Sequence, residues 1–201
     1  MPGGPDARRT QILDGLLRLA GRRGLHTASM RTVAAEAGVS LRLVQYYFET
    51  KEKLLVAGLE HLAARMPGRL AARLAAAGDR EDPRAVVEAV LAEALPTDEE
   101  SRVFHLVYTS YAVLSATDPV LAAQPFLRAP DEMERFLTGL LETARHAGRL
   151  PAASDPAAEA VLLLAVSAGL GTSVLLGQRT SGEAMNVFHY HLDRLFPEPA
   201  G

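Results

Sequence analysis

The sequence predicts an all-α protein of about nine helices, an N-terminal three-helix head followed by a helical body. Three observations carry that expectation. Apolar residues recur at helical spacing along most of the chain, and no stretch alternates with the period of a strand. Proline, glycine and capping residues fall mainly between the periodic stretches. At 201 residues and 48% hydrophobic content the chain can bury a real core, and it contains no cysteine. That absence excludes disulfides, thiolate metal sites and cysteine nucleophiles.

Charge is distributed unevenly. The net charge is −3, yet residues 1–60 hold nine Lys/Arg against six Asp/Glu, whereas residues 61–201 hold twelve against eighteen. A basic head on an acidic body confines phosphate attraction to the head. Both lysines of the chain, Lys51 and Lys53, lie there. The N-terminus, MPGGPDARRT, lacks the apolar stretch of a secretory signal, and a cytoplasmic location is expected.

The first helix is expected over about residues 6–21, with Ile12, Leu13, Leu16, Leu17, Leu19 and Ala20 at helical spacing. Arg8 and Arg9 stand at its start, placed for phosphate or minor-groove contact or for a solvated helix end. Ser29 suits the N-cap of a second helix over residues 30–37, although Thr32 stands where a capping box prefers Glu or Gln. Gly38 can end that helix in a left-handed conformation, Val39 can plug the space behind it, and Ser40 can cap a third helix over residues 41–47. This third helix presents Arg42, Gln45, Tyr46 and Tyr47, more hydrogen-bonding and aromatic surface than a buried helix needs. Helix, glycine turn, helix is the arrangement whose second helix enters the DNA major groove.

Gly38-Val39-Ser40, Tyr46-Tyr47-Phe48 and Lys51-Glu52-Lys53-Leu54-Leu55 together resemble the DNA-binding signature of the TetR family of transcriptional regulators. The resemblance runs from about Gln11 to Leu55. It implies a DNA-binding domain over residues 1–55, a ligand-binding and dimerisation domain over residues 56–201, an effector pocket in the body and a dimer built from the last two helices. Where many relatives have Gly-x-hydrophobic-Tyr, this chain has Arg42 and Gln45, and Met30 replaces a small hydroxyl residue. The expected DNA-contacting set is Ser29, Arg31, Thr32, Leu41, Arg42, Gln45, Tyr46, Tyr47 and Lys51. Arg42 can read guanine through a bidentate contact, Gln45 can pair with adenine, and Leu41 or Tyr46 can meet a thymine methyl. Tyr47, Thr32, Arg31 and Lys51 would hold phosphates, and the free N–H groups at the start of the second helix would grip another.

Beyond the head, a fourth helix begins near Lys51 and is interrupted at Pro67-Gly68 before resuming over residues 70–77. Residues 78–83 break the pattern. Helices are then expected over residues 84–95, from a Thr97 cap with Glu100 to about 116, over 131–147, 156–176 and 183–196. Prolines 125 and 130 interrupt the stretch that follows a Thr117-Asp118-Pro119 cap.

For the body, Phe104, Tyr108 and Tyr111 form one stripe with His105 alongside, and Phe126, Met133 and Phe136 lie near the prolines. Such a stripe serves either as core or as the polar and aromatic part of an apolar pocket, and these residues are the candidate effector site. For the dimer, Ala165, Ala168, Gly169 and Thr172 are small enough for a close helix approach, and Met185, Phe188, Leu192 and Leu195 form an apolar stripe. Packing within the chain is the competing use of both. Residues 160–178 carry no charge, but their glycines and hydroxyl residues favour a buried or dimer helix over a membrane span.

His189 and His191 stand two apart and point in different directions, and His26 and His61 read as surface residues. No HExxH, GxSxG or phosphate-binding glycine loop occurs. No catalytic residue, metal site or cofactor is expected, and the chain is not expected to be an enzyme. The reading is a homodimeric repressor that binds a palindromic double-stranded operator and leaves it when a small-molecule effector binds. An activator built from the same parts is the alternative, followed by a helical ligand-binding or enzymatic protein that does not regulate DNA.

Overall fold

The computed structural model describes residues 5–76, 81–117, 122–123 and 129–197. Among these, the helices are α1 (Pro5–Arg23), α2 (Met30–Ala37), α3 (Leu41–Phe48), α4 (Lys51–Ala63), α5 (Met66–Ala76), α6 (Pro83–Glu93), α7 (Glu99–Ser115), α8 (Ala129–His146), α9 (Pro156–Leu175) and α10 (Ser181–Leu195), with a 3-10 turn at Leu25–Thr27. No described residue lies in a strand. The all-α expectation therefore holds.

The long fourth helix breaks at residues 64–65. The break precedes Pro67-Gly68, which instead occupy the first turn of α5. A proline there loses no hydrogen bond, because the first N–H groups of a helix have no intrahelical acceptor. Pro130 likewise falls in the first turn of α8 and does not interrupt it. The residue capping α7 is Asp98 rather than Thr97. Ser101 N donates to Asp98 Oδ1 at 2.8 Å and Asp98 N donates to Ser101 Oγ at 3.0 Å. Thr97 Oγ1 accepts from Arg73, and Glu100 accepts from Arg69. The expected cap at 117–119 and the Pro125 interruption involve residues outside those described.

The chain forms two compact units, one of α1–α4 with α7 from Arg102 onward and one of α5 from Pro67 onward, α6, α8, α9 and α10. In the head unit, Ile12, Leu13 and Leu16 of α1, Val33 and Ala34 of α2, Val44 and Phe48 of α3, and Leu54 and Ala57 of α4 share one core. A second cluster joins Leu17, Ala20, Leu59 and Leu62 to Val103, Val107 and Tyr111 of α7. The body unit centres on Val87 and Leu91 of α6, Leu137 and Leu141 of α8, Leu163 of α9, and Phe188 and Leu192 of α10.

The body unit also holds a polar network. Arg69 reaches Glu93 at 2.5 Å, Asp98 at 2.7 Å and Glu100 at 3.1 Å, while Arg73 pairs with the other oxygen of Glu93. Burial pushes the Asp98 carboxyl up, but hydrogen bonds from Arg69 and Ser101 and the charge of Arg69 outweigh it and bring the pKa from 3.8 down to about 2. The same network raises the pKa of Arg69 against the opposing effect of its own burial.

Candidate nucleic-acid interface

Helix α3 is held by two well-defined ends. Gly38 has φ 66° and ψ 36°, with its N–H directed to Ala35 O and the N–H of Val39 to Ala34 O. This pair of bonds closes α2 and requires a residue that accepts positive φ. Ser40 then caps α3, its Oγ accepting from Leu43 N at 3.2 Å. Val44 and Phe48 turn inward, leaving Arg42, Gln45 and Tyr46 exposed; Tyr46 keeps 78% of its surface. Leu41 and Tyr47 are half-buried, and the rings of Tyr46 and Tyr47 meet edge-on at 5.3 Å. An 8-residue helix with an apolar underside and this outer face has the shape and chemistry of a groove reader.

Ser29 caps α2 and Thr32 completes a capping box in place of an acidic side chain. Ser29 Oγ accepts from Thr32 N, and Thr32 Oγ1 accepts from Ser29 N at 2.8 Å. The Thr32 hydroxyl is thus occupied by the cap, with Thr27 O also 2.9 Å away. Arg31 and Lys51 are exposed. Arg8 donates to Gln11 Oε1, and the Arg9 guanidinium lies over the Phe48 ring at 5.6 Å from its centre, which places Arg9 at the C-terminal end of the reading helix.

Several contacts that position α3 depend on pairings across helices. Gly15 lets α1 approach α2 so closely that a Cβ on it would stand 2.8 Å from Ala37 Cβ. Gln11 Nε2 donates to Ala37 O at 2.8 Å, satisfying a carbonyl at the end of α2. Glu36 accepts from Arg18 and lies 3.7 Å from Arg22. His61, expected at the surface, is half-buried beside Asp14 at 3.0 Å, and Arg65 donates to the same carboxylate at 2.7 Å. Burial raises the Asp14 pKa, but the bonds and charges of His61 and Arg65 bring it below the ordinary carboxylate value.

The junction from α3 to α4 is the most unusual backbone in the head. Glu49 has φ 55° and ψ −55°, the sole non-glycine residue with positive φ among those described, and Thr50 N bonds Phe48 O at 2.5 Å across it. This is a γ-turn of the rare positive-φ kind, a conformation that costs of the order of 1–3 kcal/mol for a residue with a Cβ. Thr50 then caps α4 through Lys53 N.

The candidate effector residues divide between the units. Phe104 and Tyr108 stack at 5.6 Å with their planes 13° apart, and Phe104 meets His105 edge-on. Tyr111 is 1% exposed in the core shared with α1 and α4, and burial, followed by the charge of Glu52, pushes its phenol above the ordinary range. Met133 and Phe136 belong to the body unit, Met133 half-buried against its core and Phe136 47% exposed. Phe126 lies outside the described residues.

The expected dimer residues separate in the same way. Phe188, Leu192 and Leu195 are at most 4% exposed and, with Met185 packed against them, form the body's own core. Their stripe is committed within the chain, which corrects the expectation that it faces a second copy. The outward faces differ: Ala165, Ala168, Gly169 and Thr172 are exposed on α9 beside Val161, Leu162 and Leu176, and α10 exposes Val187 and Tyr190. Thr172 Oγ1 donates to Ala168 O, so its hydroxyl is satisfied within the helix. By length and composition alone α9 is long and apolar enough to cross a membrane. Its capped ends are Asp155, accepting from Ala157 and Ala158, and a left-handed Gly177. His189 and His191 bond Glu88 of α6 and Glu159 of α9 respectively, so they do face different neighbours.

Residues 12–57 match the profile of bacterial regulatory proteins of the tetR family, and residues 83–197 match that of the BetI-type transcriptional repressor C-terminal region. The chain belongs to the TetR family. An HTH-type transcriptional regulator BetI from Brucella anthropi is 36% identical over 85 residues, 42% of each chain. Matches to the first curated relatives span between 42% and 59% of those proteins' lengths. Among solved structures, a transcriptional regulator from Saccharomonospora viridis in complex with choline superposes with a TM-score of 0.86 at 23% identity, covering 96% of this chain and 100% of that one. The multidrug binding protein EbrR, solved with imidazole, is 31% identical with a TM-score of 0.61, covering 98% of this chain and 94% of that one. The match over the N-terminal region spans α2 and α3.

Proposed function

We propose that this TetR-family chain is a sequence-specific DNA-binding transcriptional repressor that acts as a homodimer and leaves its operator when a small molecule binds the body. The observation that carries this reading is the outer face of α3, with Arg42, Gln45 and Tyr46 exposed on a helix whose Val44 and Phe48 are fixed in the head core. Residues 1–55 are the reading domain and residues 56–201 the responding one. Arg42 and Gln45 read base edges, Tyr47, Arg31 and Lys51 hold phosphates, and Ser29 and Thr32 present the start of α2 to another.

The exposed small-residue face of α9 with Val187 and Tyr190 of α10 is the surface for the second copy. A dimer would set two reading helices about 34–36 Å apart on a palindromic site. Two relatives of this fold were solved with choline and with imidazole, which makes those compounds the first to screen as effectors. An effector changes operator affinity only through its different affinities for the two states.

The test is binding of the purified protein to DNA upstream of its own gene and its neighbours at two salt concentrations, beside Gln45→Ala/Tyr46→Ala. Competitor-resistant binding lost in the variant is expected. Equal binding by wild type and variant would remove α3 from the interface.

A further inference from the structure

We propose that Glu49 is a built-in competitor of DNA. It holds Lys53 in the free protein, Lys53 exchanges that carboxylate for a backbone phosphate on docking, and the carboxylate left behind limits the affinity for every sequence. The inference rests on α3 being the groove-inserted helix.

Arg42, Gln45–Tyr46, Glu49 and Lys53 follow one another at three- to four-residue spacing. Glu49 directly follows the last residue of α3, and Lys53, its partner, lies in the first turn of α4. Glu49 Oε2 lies 2.6 Å from Lys53 Nζ, with the side chains 69% and 60% exposed. A pair this wet is a weak hold, readily exchanged for another anion. Lys53 also stands at the N-terminal end of α4, where the helix dipole disfavours a cation and strengthens its need for a negative partner.

The backbone makes the carboxylate a choice that local folding does not favour. Glycine would occupy the positive-φ turn at Glu49 more cheaply. A residue disfavoured by its backbone, and negative beside a surface built for phosphates, breaks two local rules at once, which is the signature of a functional position. Next to it in sequence lie Lys51 and Lys53 as cations and Glu52 as another carboxylate, and Arg9 covers the neighbouring Phe48 ring. Because phosphate attraction is independent of sequence, weakening it leaves a larger share of the binding free energy to the base contacts of α3.

The full-length protein is titrated by fluorescence anisotropy against a random-sequence duplex of about 30 base pairs over a range of salt concentrations. Glu49→Gln is expected to bind about fivefold tighter at low salt, with a slope of log affinity against log salt steeper by about 0.9. Lys53→Gln should lose more affinity in the Glu49→Gln background than in the wild type. An unchanged slope, or equal Lys53→Gln losses in both backgrounds, overturns the exchange. A wild type that does not bind the duplex at all overturns the DNA reading itself, a result distinct from binding that ignores Glu49. With lysine as the labelled residue, the protein gives two side-chain ammonium signals, from Lys51 and Lys53. The Lys53 signal should shift in Glu49→Gln and again when duplex is added to wild type; indifference to duplex contradicts the proposal.

Discussion

Replacing Gly15 by alanine separates two rules that usually agree. In an isolated helix the change stabilises by about 1 kcal/mol, because glycine is the poorer helix former. Here the new Cβ would stand 2.8 Å from Ala37 Cβ, 3.0 Å from Ala37 Cα and 3.1 Å from Ala37 N. Two of those atoms are backbone, so relief requires α1 to part from α2. Overpacking of this kind costs about 1–3 kcal/mol. The parting also lengthens the bond from Gln11 to Ala37 O, worth about 1 kcal/mol. After the helix-propensity gain, the net loss should be about 1–3 kcal/mol, lowering the melting temperature by about 3–9 °C. Thermal unfolding followed by circular dichroism reads this directly, and DNA affinity should fall with it, since α2 and α3 lose their support. A higher melting temperature for Gly15→Ala would refute the close-approach argument.

Four other substitutions test contacts elsewhere in the chain. Asp98 has a folded-state pKa near 2 against an ordinary 3.8, so its pairing stabilises the body above about pH 4 and is lost as pH falls toward 2; Asp98→Asn should remove that part of the acid transition. Leu192→Ala should cost about 2–5 kcal/mol in unfolding experiments because it empties a core site, whereas Tyr190→Glu should leave the subunit folded and shift sedimentation from dimer to monomer. Arg42→Ala should cost about 1–3 kcal/mol on the preferred sequence and relax preference at one base pair; a uniform loss across sequences would reassign Arg42 to a phosphate.

The head was legible because its determinants are local. Gly38, Ser40 and the alternation of Val44 and Phe48 with Arg42 and Gln45 act within a few residues of one another, where spacing alone specifies helix ends and faces. Thr32 shows the limit of that reading: its hydroxyl closes a capping box at a position where Glu or Gln is the preferred residue. The body was less legible because its helices carry apolar residues on more than one face. On α10, Met185, Phe188, Leu192 and Leu195 form one stripe and Val187 and Tyr190 part of another, and composition does not say which meets the core. Tyr111 poses the same ambiguity on α7, resolved by Leu17, Leu59 and Leu62, which are distant in sequence. The positive φ of Glu49 and the close approach at Gly15 leave almost no mark in residue type, since one is an ordinary glutamate and the other a glycine amid good helix formers.

The most direct test of the central claim is a selection of fragments from the source genome by the purified protein, sequenced beside the same selection with Gln45→Ala/Tyr46→Ala. The account predicts enrichment of one motif with two inverted half-sites about one helical turn apart, lost in the variant and diminished by an effector that binds the body. Recovery of fragments without a shared motif, or of the same motif by the variant, would contradict the assignment of α3 as the reader.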